Sequence, residues 1–248
     1  MEKKIKIEEE LEQSKKIIAL LNETFNKKEN KIKYDLTHLV KDSQFVFGPI
    51  QDDEALFLFG IVKAIRPKIV VEFGFSYGFS SMNFLKALDN DEKTRLFSYD
   101  IKNLNTKAFA HTDKRFKFYL KSQAEFNTSD ILNMPIDIVY FDNGHHFDVN
   151  VEAFQRVMNQ ISPTGLIIVH DTGLHLNETK QCSCDFEGYC GGAHQIDERI
   201  FINWIYDNYP EWQIIQFHSL NIYRHGFTIL QKKYKLGVKL ADKMKCQI

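Results

Sequence analysis

Four short apolar runs, each ended by an acidic residue, constrain this chain more than any other feature. They are KIVVE ending at Glu72, LFSYD ending at Asp100, IDIVYFD ending at Asp142 and GLIIVHD ending at Asp171. A β-branched run without polar alternation suits a strand buried on both faces, which is the signature of a parallel sheet covered by helices. The intervening segments read mainly as helices, so the pattern is βαβ alternation with right-handed crossovers.

In chain order, residues 4–28 carry Ile7, Leu11, Ile18, Leu21 and Phe25 mainly on one helical face. That predicts an amphipathic helix covering the domain or a second subunit, a candidate homo-oligomer contact. Residues 29–50 read as irregular, and Gln51 to Ile65 as a helix begun by Asp52 and Asp53 and ended by Pro67. Strands are expected at Ile69 to Val71, Leu96 to Tyr99, Phe116 to Leu120, Ile136 to Phe141 and Gly165 to Val169. Helices are expected at Met82 to Leu88 and Val149 to Ile161, with a weakly marked segment around Asn103 to Ala110. A helix at Ile196 to Tyr209 and two strands at Trp212 to Phe217 and Phe227 to Gln231 complete the pattern. The fold class is therefore α/β: a Rossmann-like, doubly wound, seven-stranded sheet, mostly parallel with an antiparallel terminal hairpin. Residues 1–50 form an N-terminal helical extension and 51–248 the main domain. The Lys-rich stretch Lys232 to Lys245 reads as a solvated end.

A chain of 248 residues can bury one large α/β core with additions. With 32 basic and 33 acidic residues it has no positive excess to compete for a phosphate backbone, which argues against nucleic acid. The sequence MEKKIKIEEELEQSKK lacks the apolar core of a signal peptide, and no run reaches the ~18 apolar residues of a membrane span. The expectation is a cytoplasmic protein whose four cysteines are free or metal-bound.

The chemistry begins where the strands stop. Glu72 closes the first, Gly74 and Gly78 bracket Phe75-Ser76-Tyr77, and Ser80 and Ser81 open the next helix. A glycine-bearing turn between strand and helix lets a ligand approach the backbone, and the helix N-terminal amides favour polar or negative groups. The spacing is Glu-x-Gly-x-x-x-Gly, with Ser76 where a dinucleotide fingerprint has its second glycine, which disfavours NAD. In an open parallel sheet ligands bind beyond the carboxyl ends of the strands, so Glu72, Asp100, Asp142 and Asp171 converge. Four acids there need cations or donors between them. Asp100 is placed to accept hydrogen bonds from both hydroxyls of a ribose, a placement shared by NAD and S-adenosylmethionine (SAM) sites.

The turn E-x-G-x-x-x-G-x-S resembles motif I of the class I SAM-dependent methyltransferases. VYFDNGHHFD around Asp142 and GLIIVHDTG around Asp171 resemble the subgroup that includes macrocin O-methyltransferase, the cephamycin-pathway methyltransferases and, more distantly, catechol O-methyltransferase. The resemblance runs from about Glu54 to Gln231. It implies cofactor binding by Glu72, Gly74, Ser76, Gly78, Ser80, Asp100, Ser122, Gln123 and Asp142. It also implies a divalent metal, Mg²⁺ or Mn²⁺, on Asp142 and Asp171. His170 stands where several metal-dependent members have an acid, and imidazole suits Mn²⁺, Fe²⁺ or Zn²⁺ better than Mg²⁺, which makes His170 a candidate ligand. His145, three residues after Asp142, is the first candidate for the base and His170 the second. For His146 a structural role is expected.

The segment between Thr172 and Gln195 is long, polar and punctuated by glycines, as a lid over the carboxyl edge would be. Its Cys182, Cys184, Cys190 and His194 depart from the C-x2-C spacing of structural zinc and read as ordinary packing. The resulting expectation is an O-methyltransferase, SAM as cofactor, a divalent metal assisting through Asp142, and a small hydroxylated acceptor, by resemblance a sugar. An NAD-dependent oxidoreductase and a catalytically silent nucleoside-binding module are the alternatives.

Overall fold

Ile69–Phe73 (β1) is buried at every residue and lies inside the sheet, as a run of β-branched side chains with no polar face requires. It pairs in parallel with Arg95–Asp100 (β2) on one side and Ile136–Phe141 (β4) on the other. In the computed structural model the described residues are 50, 52–144, 146–172, 191–217 and 226–233. Among them is one seven-stranded sheet of order β3-β2-β1-β4-β5-β7-β6, with Phe116–Leu120 as β3, Ile161–His170 as β5, Trp212–Phe217 as β6 and Phe227–Lys232 as β7. The first five strands are parallel; β7 runs antiparallel to β5, and β6 antiparallel to β7. The chain walks from β1 out to β3 and then returns to β4, so the sheet changes winding direction between β1 and β4.

Alternation along each strand assigns side chains to two cores. Val70, Leu96, Ile138, Tyr140 and Ile168 pack with Leu58, Val62, Phe84 and Leu85 from Asp52–Ile65 (α1) and Phe79–Ala87 (α2). Val71, Phe73, Val139, Phe141, Ile167 and Val169 pack with Phe154 and Val157 of Phe147–Val157 (α3) and with Phe201 and Ile205 of Gly191–Asn208 (α4). Each such side chain, once fully buried, contributes about 1.5 to 3 kcal/mol. The same parity places Glu72 beside Val70, Asp142 beyond Tyr140 and His170 beyond Ile168, all toward α1 and α2.

The amino ends of the strands are pinned by Asp137, whose carboxylate accepts from the amides of Lys68 (2.7 Å) and Ile69 (3.1 Å) and from Ser162 Oγ (2.8 Å). Arg115, ahead of β3, is paired with Asp113 and donates to the carbonyls of Leu85, Leu88 and Asp89 at the end of α2. Two elements depart from expectation. The helix expected over Val149 to Ile161 ends at Val157, because the buried Ile161 and Ser162 already belong to β5. The weakly marked stretch before β3 contains a short 3₁₀ turn, Phe109–Thr112, in place of an α-helix. The amphipathic helix expected over residues 4–28, the cysteine-bearing segment and the Lys-rich stretch from 234 onward lie outside the described residues.

Candidate active site

The turn after β1 is shaped by contact with the end of β4. Gly74 has φ +106°, and a Cβ there would stand 1.8 Å from the Asp142 carbonyl oxygen, so only glycine fits. Its amide donates to the Tyr99 carbonyl at 2.8 Å, while the amides of Phe75 and Ser76 donate to Asp100 Oδ2 at 2.9 and 2.8 Å. Asp100 therefore holds the turn itself. Its Oδ1 also accepts from the Lys102 amide, and the carboxylate remains partly exposed. Gly78, at φ +83°, caps α2 against the Phe75 ring. Gly74, Ser76, Tyr77, Ser80 and Asp142 line a small cavity.

Glu72 is fully buried and accepts hydrogen bonds from Ser80 Oγ at 2.6 Å and from Ser81 Oγ. Burial raises its carboxyl pKa to about 7 against the lowering influence of these serines. Both serines of α2 thus serve the acid at the end of β1. Beyond β3, Ser122 caps the 3₁₀ turn Gln123–Glu125 in a reciprocal box with Glu125. Gln123 is buried and donates to Asn150 Oδ1 at 2.6 Å; Asn143 donates to the same oxygen at 3.0 Å, and Asn150 donates to Glu198 at 2.9 Å. This buried chain of amides ties the turns after β3 and β4 to α3 and α4.

The second half of the site is a cluster of Asp142, His170 and Asp171, whose ligand atoms all lie within 4.8 Å of one another. His170 Nδ1 is 2.9 Å from Asp142 Oδ1 and 3.6 Å from Asp171 Oδ1. Its Nε2 is 3.1 Å from Glu54 Oε2, and Glu54 Oε1 accepts the Gly226 amide at 2.7 Å. Tyr140 donates its hydroxyl to Asp142 Oδ2 at 3.2 Å, leaving Oδ1 turned to the imidazole. Burial opposes charge on His170, but the Coulombic pull of Asp142, Glu54 and Asp171 outweighs it and holds the pKa well above its usual value. A protonated imidazole has no lone pair, so in this state His170 donates and does not act as a base. Burial, and then the surrounding carboxylates, raise the Tyr140 pKa well above normal, keeping it a neutral donor.

The donor set fits a divalent ion. Ligand atoms on an ion with bonds near 2.1 Å lie about 3 Å apart, close to the separations around His170 Nδ1, and a metal-binding imidazole commonly gives its other N–H to a carboxylate. An ion would displace the proton from Nδ1.

The structure thus brings together Glu72, Gly74, Ser76, Gly78, Ser80 and Asp100 around the first turn and Asp142, His170 and Asp171 around the second. Ser122 and Gln123 stand beyond β3 on the same carboxyl edge. His145 lies outside the described residues; His146 is exposed at the start of α3, apart from the cluster. Sequence reasoning missed Glu54, Tyr140, Asn150 and Glu198. The available signal for Glu54 was an acid preceding the apolar run ALFLF of α1.

Comparison with known proteins bears on the fold and on part of the chain. Residues 71–172 match the model of a family described as a methyltransferase domain. The curated relative, the uncharacterized protein y4gI of Sinorhizobium fredii strain NBRC 101917 / NGR234, is 29% identical over 127 residues, or 45% of this chain, and the chain spans 14% of that relative's length. Among solved structures, the methyltransferase PaMTH1 of Podospora anserina, bound to S-adenosylhomocysteine (SAH), aligns with a TM-score of 0.58 and 15% identity over 75% of this chain and 80% of its own. An O-methyltransferase of Bacillus cereus in complex with SAH aligns at 0.56 and 14%, over 91% of each chain. These likenesses show the fold, a Rossmann-like methyltransferase sheet. No helix among the described residues is long and apolar enough to cross a membrane.

Proposed function

We propose that the chain is a SAM-dependent O-methyltransferase acting on a small hydroxylated acceptor, with a divalent ion assisting. One observation carries this reading: Asp142 belongs to both halves of the site. Its backbone is the wall against which Gly74 turns, and its side chain enters the cluster with His170 and Asp171. A cofactor lying on the turn and an acceptor oxygen at the cluster are then neighbours across one residue.

In this reading Glu72, Gly74, Ser76, Gly78 and Ser80 shape the cofactor cradle. Asp100 contributes remaining acceptor capacity to the ribose, and Ser122 and Gln123 border the base. SAM held there would supply a methyl group on a sulfonium sulfur, the C–S bond breaking as the O–C bond to the acceptor forms. A divalent ion on Asp142, Asp171 and His170 would supply Lewis acidity that lowers the pKa of the acceptor hydroxyl. His145 takes the hydroxyl proton, and holding both reactants in place accounts for about 7 to 11 kcal/mol of the barrier. A sugar acceptor is supported by the family resemblance and by the polar composition of residues 172–195.

Thermal denaturation with SAM, SAH and NAD tests the proposal, because a ligand that binds the folded state raises the midpoint. SAM and SAH should raise it and NAD should not. A rise with NAD alone would move the assignment to an oxidoreductase. Chelation should abolish turnover far more than SAH binding, with Mn²⁺ or Mg²⁺ restoring it. Full turnover after exhaustive chelation would leave Asp142 and Asp171 as acceptor-binding residues only.

A further inference from the structure

We propose that Glu54, on α1, is the residue that makes His170 a metal ligand, fixing its proton on Nε2 so that the Nδ1 lone pair is presented to an ion between Asp142 and Asp171. This rests on the metal-assisted reading above and extends it to a positioning residue outside the strand ends. His170 and Glu54 are both essentially buried, at 2% and 3% exposure, so their contact is not diluted by water. The 3.1 Å separation between Nε2 and Glu54 Oε2 is that of a hydrogen bond, and Glu54 is itself fixed by the Gly226 amide on its other oxygen. A carboxylate can only accept, and both ring nitrogens face one; when an ion replaces the Nδ1 proton between Asp142 and Asp171, the remaining proton stays on Nε2, held by Glu54. Nδ1 lies 2.9 Å from Asp142 Oδ1 and 3.6 Å from Asp171 Oδ1, where its lone pair would meet an ion that displaces its proton. An imidazole ligand favours Mn²⁺ and related ions over Mg²⁺.

The substitution Glu54→Gln separates this role from plain packing. Its amide oxygen still accepts the Gly226 N–H, but its NH₂ group faces Nε2 and prefers a lone pair there. That moves the imidazole proton to Nδ1, where the ion would sit. Titrating SAH-saturated protein with Mn²⁺ by calorimetry should show affinity ten- to a hundredfold weaker in Glu54→Gln, with SAH affinity unchanged. Bound Mn²⁺ in the wild type should carry a nitrogen hyperfine coupling that His170→Asn removes. In the His170→Asn background Glu54→Gln should change Mn²⁺ affinity no further. Equal Mn²⁺ affinity in wild type and folded Glu54→Gln would overturn the proposal. Mn²⁺ bound without nitrogen coupling would overturn it while leaving Asp142 and Asp171 as metal ligands. No Mn²⁺ binding by SAH-bound wild type would overturn both this proposal and the metal-assisted reading, and would leave the cofactor assignment standing.

Discussion

Glu72 couples the site to pH through a single carboxyl group. Because burial raises its pKa from 4.5 to about 7, the folded state holds the proton more tightly than the unfolded chain. Its contribution to stability is fully present below pH 4.5 and is lost as pH rises through about 7, a change on the order of 3 kcal/mol across that window. His170, whose pKa is also raised, works in the same direction in a window that opens higher, above its ordinary value of 6.5. Glu72→Gln should therefore flatten the fall in unfolding free energy between pH 5 and pH 8 in urea titrations. An unchanged slope would assign that titration elsewhere. At Gly74 the constraint is spatial: a methyl group in Gly74→Ala would meet the Asp142 carbonyl in a backbone conformation that L-residues avoid. This variant should lose measurable SAH binding, whereas Ser76→Ala, whose amide contact to Asp100 is kept, should bind SAH within a fewfold of wild type.

Between elements, the carboxyl ends of β1, β2 and β4 act as one unit, because the turn after β1 hangs on a β2 carboxylate and leans on the β4 backbone. Removing that carboxylate in Asp100→Ala frees the amides of Phe75 and Ser76 and should weaken SAH binding by about 1.5 to 3 kcal/mol. Arg115→Ala is the control: it untethers α2 from the approach to β3 and should lower stability by about 2 kcal/mol in urea, with SAH affinity nearly unchanged. The strand ends were legible in the sequence because an apolar run with no alternation fixes a buried strand, and the polar residue that ends it must lie at the edge. Contacts that depend on how a helix sits over the sheet were not. Glu54 meets His170 across 116 residues of chain, and Asn150 meets Glu198 across 48, distances at which no local pattern reports the partner. The end of α3 was overrun because Met158 and Ile161 continue an apolar helical spacing; the early start of β5 decides otherwise.

For the whole molecule, the two ends of the sheet are built on different terms. At the amino end Asp137 satisfies two amides and a serine, while the carboxyl end gathers Glu54, Glu72, Asp142 and Asp171 within a largely buried region. Two ligands that each prefer the folded state should both stabilise it. SAH and Mn²⁺ together should raise the melting midpoint more than either alone, each contributing about 2.7 kcal/mol at a hundred times its dissociation constant. Asp171 shows what this arrangement means for selection. It is fully buried and adopts φ +56°, a left-handed conformation that asparagine tolerates better than most residues and that costs other side chains roughly 1 kcal/mol or more. Asp171→Asn keeps the shape, suits the backbone and removes one of the crowded negative charges. The variant should unfold at higher urea, by an amount on the order of 1 kcal/mol, while turnover collapses. On the proposed reading, Asp171 at this position gives up stability for a negative charge that the ion would use, a trade that a neutral side chain of the same shape would reverse.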